Sequence, residues 1–126
     1  MALSYYAEEL KKTASAIAQP GKGILAVDES TKTVGKRLAS IGVENSEDNR
    51  KAYRGMLFTT EGLGNFISGA ILFEETLFQN HPDGEPMVKK LEKLGIIPGL
   101  AEGLASQIVC DKIKESNSIG MKIEIN

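Results

Sequence analysis

The chain has 126 residues, 41% of them hydrophobic and 25% charged, with a formal net charge of -2; this is the composition of a globular domain and, at this length, of one. The near-neutral balance lacks the basic excess of nucleic-acid and anionic-membrane binders. The lone cysteine, Cys110, excludes an internal disulfide, no Cys/His cluster has zinc-ligand spacing, and no stretch approaches the roughly 20 apolar residues of a membrane span.

Ser4 is placed to cap a helix in which Tyr6, Leu10, Thr13, Ala14 and Ile17 recur on one face. Glu8, Glu9, Lys11 and Lys12 fill the other face, and Pro20-Gly21 ends the element. The opening Met1-Ala2-Leu3-Ser4 lacks the basic region and apolar core of a secretory signal, so the cytoplasm is the expected compartment. Gly21-Lys22-Gly23-Ile24-Leu25-Ala26-Val27-Asp28-Glu29-Ser30 follows, in which glycines lead into an apolar run that stops on two carboxylates and a hydroxyl. So short a run reads as a strand, Gly23–Val27, buried on both faces as in a parallel sheet. Asp28 at its end lies where α/β proteins bind ligands, and is the candidate for proton transfer. The alternative is that Asp28 and Glu29 merely cap the helix that follows.

That helix is expected from about Thr33 to Ile41, with Val34, Leu38 and Ile41 aligned and Gly42 closing it. Another opens at Asn45, with Glu47 and Asp48 in its first turn and a stripe of Ala52, Tyr53, Met56 and Leu57. After the break at Glu61–Asn65, Phe66–Phe73 reads as a second buried strand, ending on Glu74 and Glu75. His81-Pro82-Asp83-Gly84 is a turn, with His81 an exposed loop residue. Pro86 starts a helix carrying Val88, Leu91 and Leu94, and Gly95 ends it. Ile96-Ile97 can begin a third strand, but Pro98 and Gly99 follow at once. Helices alternating with apolar strands imply βαβ units and a parallel sheet.

Residues 1–100 form one segment on this reading and 101–126 a tail. In the tail Leu104, Ile108, Val109, Lys112 and Ile113 allow a short amphipathic helix, with Cys110 as an apolar filler. Met121–Ile125 alternates as a half-buried strand would.

Gly21–Ser30, then Gly35–Ile41, Glu44-Asn45, Asn49-Arg50, Gly69–Leu77, Asp83-Gly84 and Gly95-Ile96-Ile97-Pro98-Gly99, resembles the opening of class I fructose-1,6-bisphosphate aldolases over roughly residues 4–99. Tyr5–Leu10 and Leu38–Gly42 lean toward plant and plastid members, which makes the plastid the alternative compartment. The resemblance implies a (β/α)8 barrel, a fold of about 250 residues. This chain then holds a partial TIM barrel, its first two to three β/α units, with a divergent C-terminal tail. It also implies reversible cleavage of fructose 1,6-bisphosphate into two triose phosphates through a lysine Schiff base, with no metal or other cofactor.

Carried over by position, Asp28 matches the strand-end aspartate of proton handling. Ser30, Thr33 and Arg37 match the phosphate-binding region, where hydroxyls and a guanidinium suit an anion. Glu29 and Glu75 are read as structural, and Lys36 as lying on a solvated helix face. Two positions depart from the pattern. Lys32 brings a bulky cation into the phosphate loop, either as an added contact or as a disturbance of the turn. After Gly99 the chain reads Leu100-Ala101-Glu102-Gly103 where the family has Ile-Lys-Val-Asp-Lys, whose first lysine reaches the site. No lysine present matches the imine-forming one.

The expectation is therefore an aldolase by descent whose 126 residues are inactive alone. The alternatives are a non-catalytic protein associating with itself or with a full-length aldolase through exposed strands, and a fragment that binds sugar phosphate weakly. Neither nucleic acid nor membrane is an expected partner.

Overall fold

The computed structural model describes residues 6–100. In chain order these form α1 (Ala7–Ile17), β1 (Gly23–Val27), α2 (Thr31–Ser40), α3 (Glu47–Phe58), a 3-10 turn (Leu63–Asn65), β2 (Ile67–Leu72), α4 (Glu74–Leu77), α5 (Met87–Lys93) and β3 (Ile97–Leu100). The Ser4 cap and the tail helix and strand lie outside the described residues.

The three strands pair in parallel and lie in sequence order, β1-β2-β3. Leu25 pairs with Ala70 and Val27 with Leu72, while Ile24 pairs with Gly69 and Ala26 with Ile71. Because side chains alternate across a strand, the first set shares one face and the second the other. Val27, Ala70 and Leu72 join Phe58 of α3, Met87 and Leu91 of α5, and Ile96 in the buried core. Helices therefore cover one face of the sheet. The opposite face carries Ile24, Ala26, Ile71 and Ile97. Its lower end meets α1, since a Cβ on Gly69 would sit 3.7 Å from Ile17 Cγ1. The register slips between Gly23 and Ile24, leaving Ser68 opposite no residue of β1. The Ser68 hydroxyl donates to the Ile17 carbonyl oxygen at 2.5 Å.

Several sequence expectations are corrected here. β1 is not buried on both faces. Only Val27 is enclosed, because β1 is a sheet edge packed by helices on one side, and Ile24 is 53% exposed. The strand at Ile97 does form, through Pro98 and Gly99. Proline is tolerated there because, among the described strands, β3 is also an edge, where a missing N–H costs little. α2 starts at Thr31, two residues early, and Ile41 is its exposed C-cap rather than a core residue. Gly42 closes that helix as expected, at φ +71°. Ser46, not Asn45, caps α3 by accepting from the Asn49 N–H. In α5 the enclosed residues are Met87 and Leu91, while Leu94 is exposed at the C-cap. His81 is half-buried against α3, where a Cβ on Gly55 would lie 3.0 Å from its Cδ2.

The largest correction concerns α3. The stripe Ala52, Tyr53, Met56, Leu57 does not face inward as a unit. Arg50, Arg54, Gly55 and Phe58 are the buried residues, and Met56 is exposed. Positions 50, 54 and 58 recur every four residues and so share a face. Two of them are arginines whose charges are consumed inside the protein.

Candidate active site

The carboxyl ends of β1 and β2 gather the chemistry. Alternation along β1 assigns Asp28 to the face of Ile24 and Ala26, and Glu29 to the helix-covered face with Leu25 and Val27. Two neighbouring carboxylates are thereby separated. Asp28 is half-buried beside the open face of the sheet. Glu29 pairs with Arg37 and is committed to the helices.

Ser30 begins α2 as its N-cap, its hydroxyl accepting from the Thr33 N–H at 3.3 Å. The Ser30 and Thr33 hydroxyls lie 3.2 Å apart. The structure thus brings two of the expected phosphate ligands together at the start of a ten-residue helix, where unsatisfied N–H groups and the helix dipole favour an anion. Lys32 is exposed in that first turn, and the cap survives beside it. The turn is not disturbed.

Arg37 stands one turn beyond Thr33, and its guanidinium is engaged elsewhere. Its Nη1 donates to the Tyr53 hydroxyl at 3.0 Å and to the Glu29 carboxylate. The Tyr53 hydroxyl and the Glu29 charge together hold Arg37 above its ordinary value. Arg37 is therefore near the hydroxyl pair in sequence but is directed to partners of its own.

Sequence reasoning missed the element that binds this region together. Glu75, just past β2, accepts from Arg50 Nη2 at 2.6 Å and Nε at 3.0 Å, and from Arg54 Nη1 at 3.0 Å. Arg50 also donates Nη1 to Asn45 Oδ1 at 3.0 Å. The Arg50 hydrogen bonds hold the Glu75 carboxyl below the ordinary carboxylate range, against the burial that pushes it up. The structural reading of Glu75 agrees with this geometry. The signal for Arg54 is its four-residue spacing from Arg50 and Phe58, which puts it on their face of α3. Among the described residues no three His, Cys, Asp or Glu side chains converge as a metal site would need.

This arrangement offers a carboxylate at a strand end and a hydroxyl pair on a helix start beside it. The family model described as glycolytic, fructose-bisphosphate aldolase class-I, matches residues 9–122. The chain belongs to the class I fructose-bisphosphate aldolase family. That match runs past residue 100 into the segment set apart as divergent. Fructose-bisphosphate aldolase 3, chloroplastic, of Arabidopsis thaliana is 61% identical over 95 residues, covering 75% of this chain and 24% of the relative. Cytosolic aldolase 7 of the same organism is 58% identical over 98 residues, covering 78% and 27%. Fructose-bisphosphate aldolase from Plasmodium falciparum, solved with TRAP and a small-molecule inhibitor, superposes with a TM-score of 0.74 at 58% identity and covers 77% of this chain and 28% of that one. The aldolase-family chain thus spans about a quarter of the length of the curated relatives it matches.

Proposed function

We propose that this chain supplies the opening β/α units of a (β/α)8 barrel that cleaves fructose 1,6-bisphosphate reversibly through a lysine Schiff base. The observation that carries this reading is the sheet itself. Its strands are parallel and run in unbroken sequence order, with α3 and α5 packed on one face and Asp28 at the carboxyl end of the other, which α1 meets only at its lower end. In barrels of this kind active sites sit at the carboxyl ends of the strands, and the uncovered face is the interior. On this reading Asp28 moves protons around the reacting carbon, and Ser30, Thr33 and Arg37 hold a substrate phosphate. Arg37 reaches that phosphate by exchanging its bond to Glu29. The proposed compartment is the cytoplasm, with the plastid as the alternative that chloroplastic relatives support.

The test is a chimera. Residues 6–100 replace the matching span of the Arabidopsis aldolase 3, and cleavage is followed in a coupled assay. The chimera is expected to be active, and Asp28→Asn within it to lower kcat by about 10²–10⁴-fold. An inert but folded chimera sinks the reading.

The 126 residues by themselves are proposed to be inactive. An amine attacks a carbonyl at neutral pH only when its pKa is depressed. Lys51 and Lys90 are pushed up instead, by Asp48 and by Asp83 with Glu85. Lys12, Lys32 and Lys36 lie exposed on helices. Borohydride trapping with dihydroxyacetone phosphate should leave no covalent adduct on the isolated chain.

A second reading, association with another copy or with a longer aldolase, is favoured by one observation. The open face and outer edge of β1 present Ile24 to solvent, an edge unpaired among the described residues and of the kind that recruits a partner.

A further inference from the structure

Strand pairing between β1 and β2 ends at Val27 and Leu72. Past that point one side chain of α3 spans the two carboxyl ends. Arg54, with no exposed surface, donates Nη2 to the Glu29 carbonyl oxygen at 2.8 Å and Nη1 to Glu75 Oε2 at 3.0 Å. Its guanidinium carbon lies 5.3 Å from the centre of the Phe73 ring. Glu29 directly follows Asp28, Phe73 directly follows β2, and Glu75 lies in the first turn of α4. Both oxygens of the Glu75 carboxylate are fixed in turn by Arg50.

A guanidinium is planar, and its donors point in set directions. When it binds a main-chain oxygen beyond one strand and a carboxylate beyond the next, it fixes the distance between them. Burying a cation is costly, and apolar residues often serve stability as well or better. Arg54 even leaves its Nε without a partner. Its geometry points to a task besides filling space.

We infer, building on the aldolase reading that gives Asp28 its chemistry, that Arg54 is a positioning residue for Asp28. It holds the main chain that follows Asp28 against the end of β2, so α3 sets where the carboxylate stands over the open face. A lysine at position 54 keeps the charge but cannot serve both acceptors with one rigid group.

The test uses the 126-residue chain labelled for NMR, with Arg54→Ala, Arg54→Lys and the core variant Met87→Ala as a control for lost stability. Arg54→Ala is expected to move the Glu29 carbonyl-carbon resonance. It should also speed amide exchange at Asp28 and Glu29 by about tenfold beyond the change in global unfolding, the scale of one lost hydrogen bond. Added methylguanidinium should reverse both effects by refilling the vacated site. Arg54→Lys should move the same carbonyl resonance while the chain stays folded, so the measurement survives if the alanine variant does not fold. Unchanged Asp28 and Glu29 signals in the arginine variants, or equal changes in Met87→Ala, would overturn the inference. None of these readouts needs catalysis. An inert chimera would remove the aldolase reading and leave this result standing.

Discussion

Arg50 meets Glu75 with both arms of its fork, Nη2 to Oε1 at 2.6 Å and Nε to Oε2 at 3.0 Å, joining α3 to α4 across 25 residues of sequence. Arg54 shares the same carboxylate. Glu75→Ala would leave the enclosed Arg54 without its counter-charge, and breaking a buried pair from one side costs about 3–5 kcal/mol. Urea denaturation should read a loss of that size, and a loss inside experimental error would show the network to be ornamental.

The same carboxylate sets an acid dependence. Arg50 holds Glu75 below its ordinary value, Lys90 does so for Asp83, and Lys93 for Glu85. Each folded-state pKa therefore lies below the unfolded one, near 4 for a carboxylate. The stabilisation is full above that value and is lost as pH falls through the folded pKa values, because the unfolded chain takes up protons first. Denaturation midpoints measured from about pH 7 down to about pH 3 should be level and then drop, with a shallower drop in Glu75→Gln. A midpoint indifferent to acid would contradict these pairings.

Gly64 in the 3-10 turn has no room for a methyl group, since a Cβ there would overlap the main-chain carbonyl oxygen of Leu94. A backbone atom cannot swing aside as a side chain can. Gly64→Ala should cost about 1–3 kcal/mol by overpacking. Gly23, with nothing within 4 Å of its added Cβ, should accept alanine within about 0.5 kcal/mol. Paired thermal melts of the two variants distinguish this from a general intolerance of alanine.

Ile24, on the open face of an edge strand, should matter to association and little to folding. Charged residues on edges discourage pairing. Ile24→Lys is expected to lower the sedimentation-average mass of the chain while changing stability by less than about 0.5 kcal/mol. An unaltered mass would exclude this face as the contact.

The elements easiest to see in the sequence were those whose signals are local. The abrupt stop of the apolar run at Asp28 and the closing glycines at 42 and 95 need only their near neighbours, and each is found where expected, whereas the cap of α2 is Ser30 rather than Asp28 or Glu29. β3 was obscured because Pro98 speaks against a strand locally, while its pairing with Ala70 is decided by a residue far along the chain. The face of α3 was misjudged for the same reason. Arg50 and Arg54 look solvated until Glu75 is brought beside them. At the site, alternation alone separates Asp28 from Glu29, but the engagement of Arg37 by Tyr53 is a tertiary fact that no spacing announces.

The slip between Gly23 and Ile24 has a consequence for how length changes spread through this chain. Ser68 stands there without a counterpart on β1, anchored by its hydroxyl to α1. A residue gained or lost in the link from α1 is expected to be taken up at that point. The height of Asp28 above the sheet would then stay tied to the run of pairs from Ile24 with Gly69 to Val27 with Leu72, insulated from whatever happens upstream.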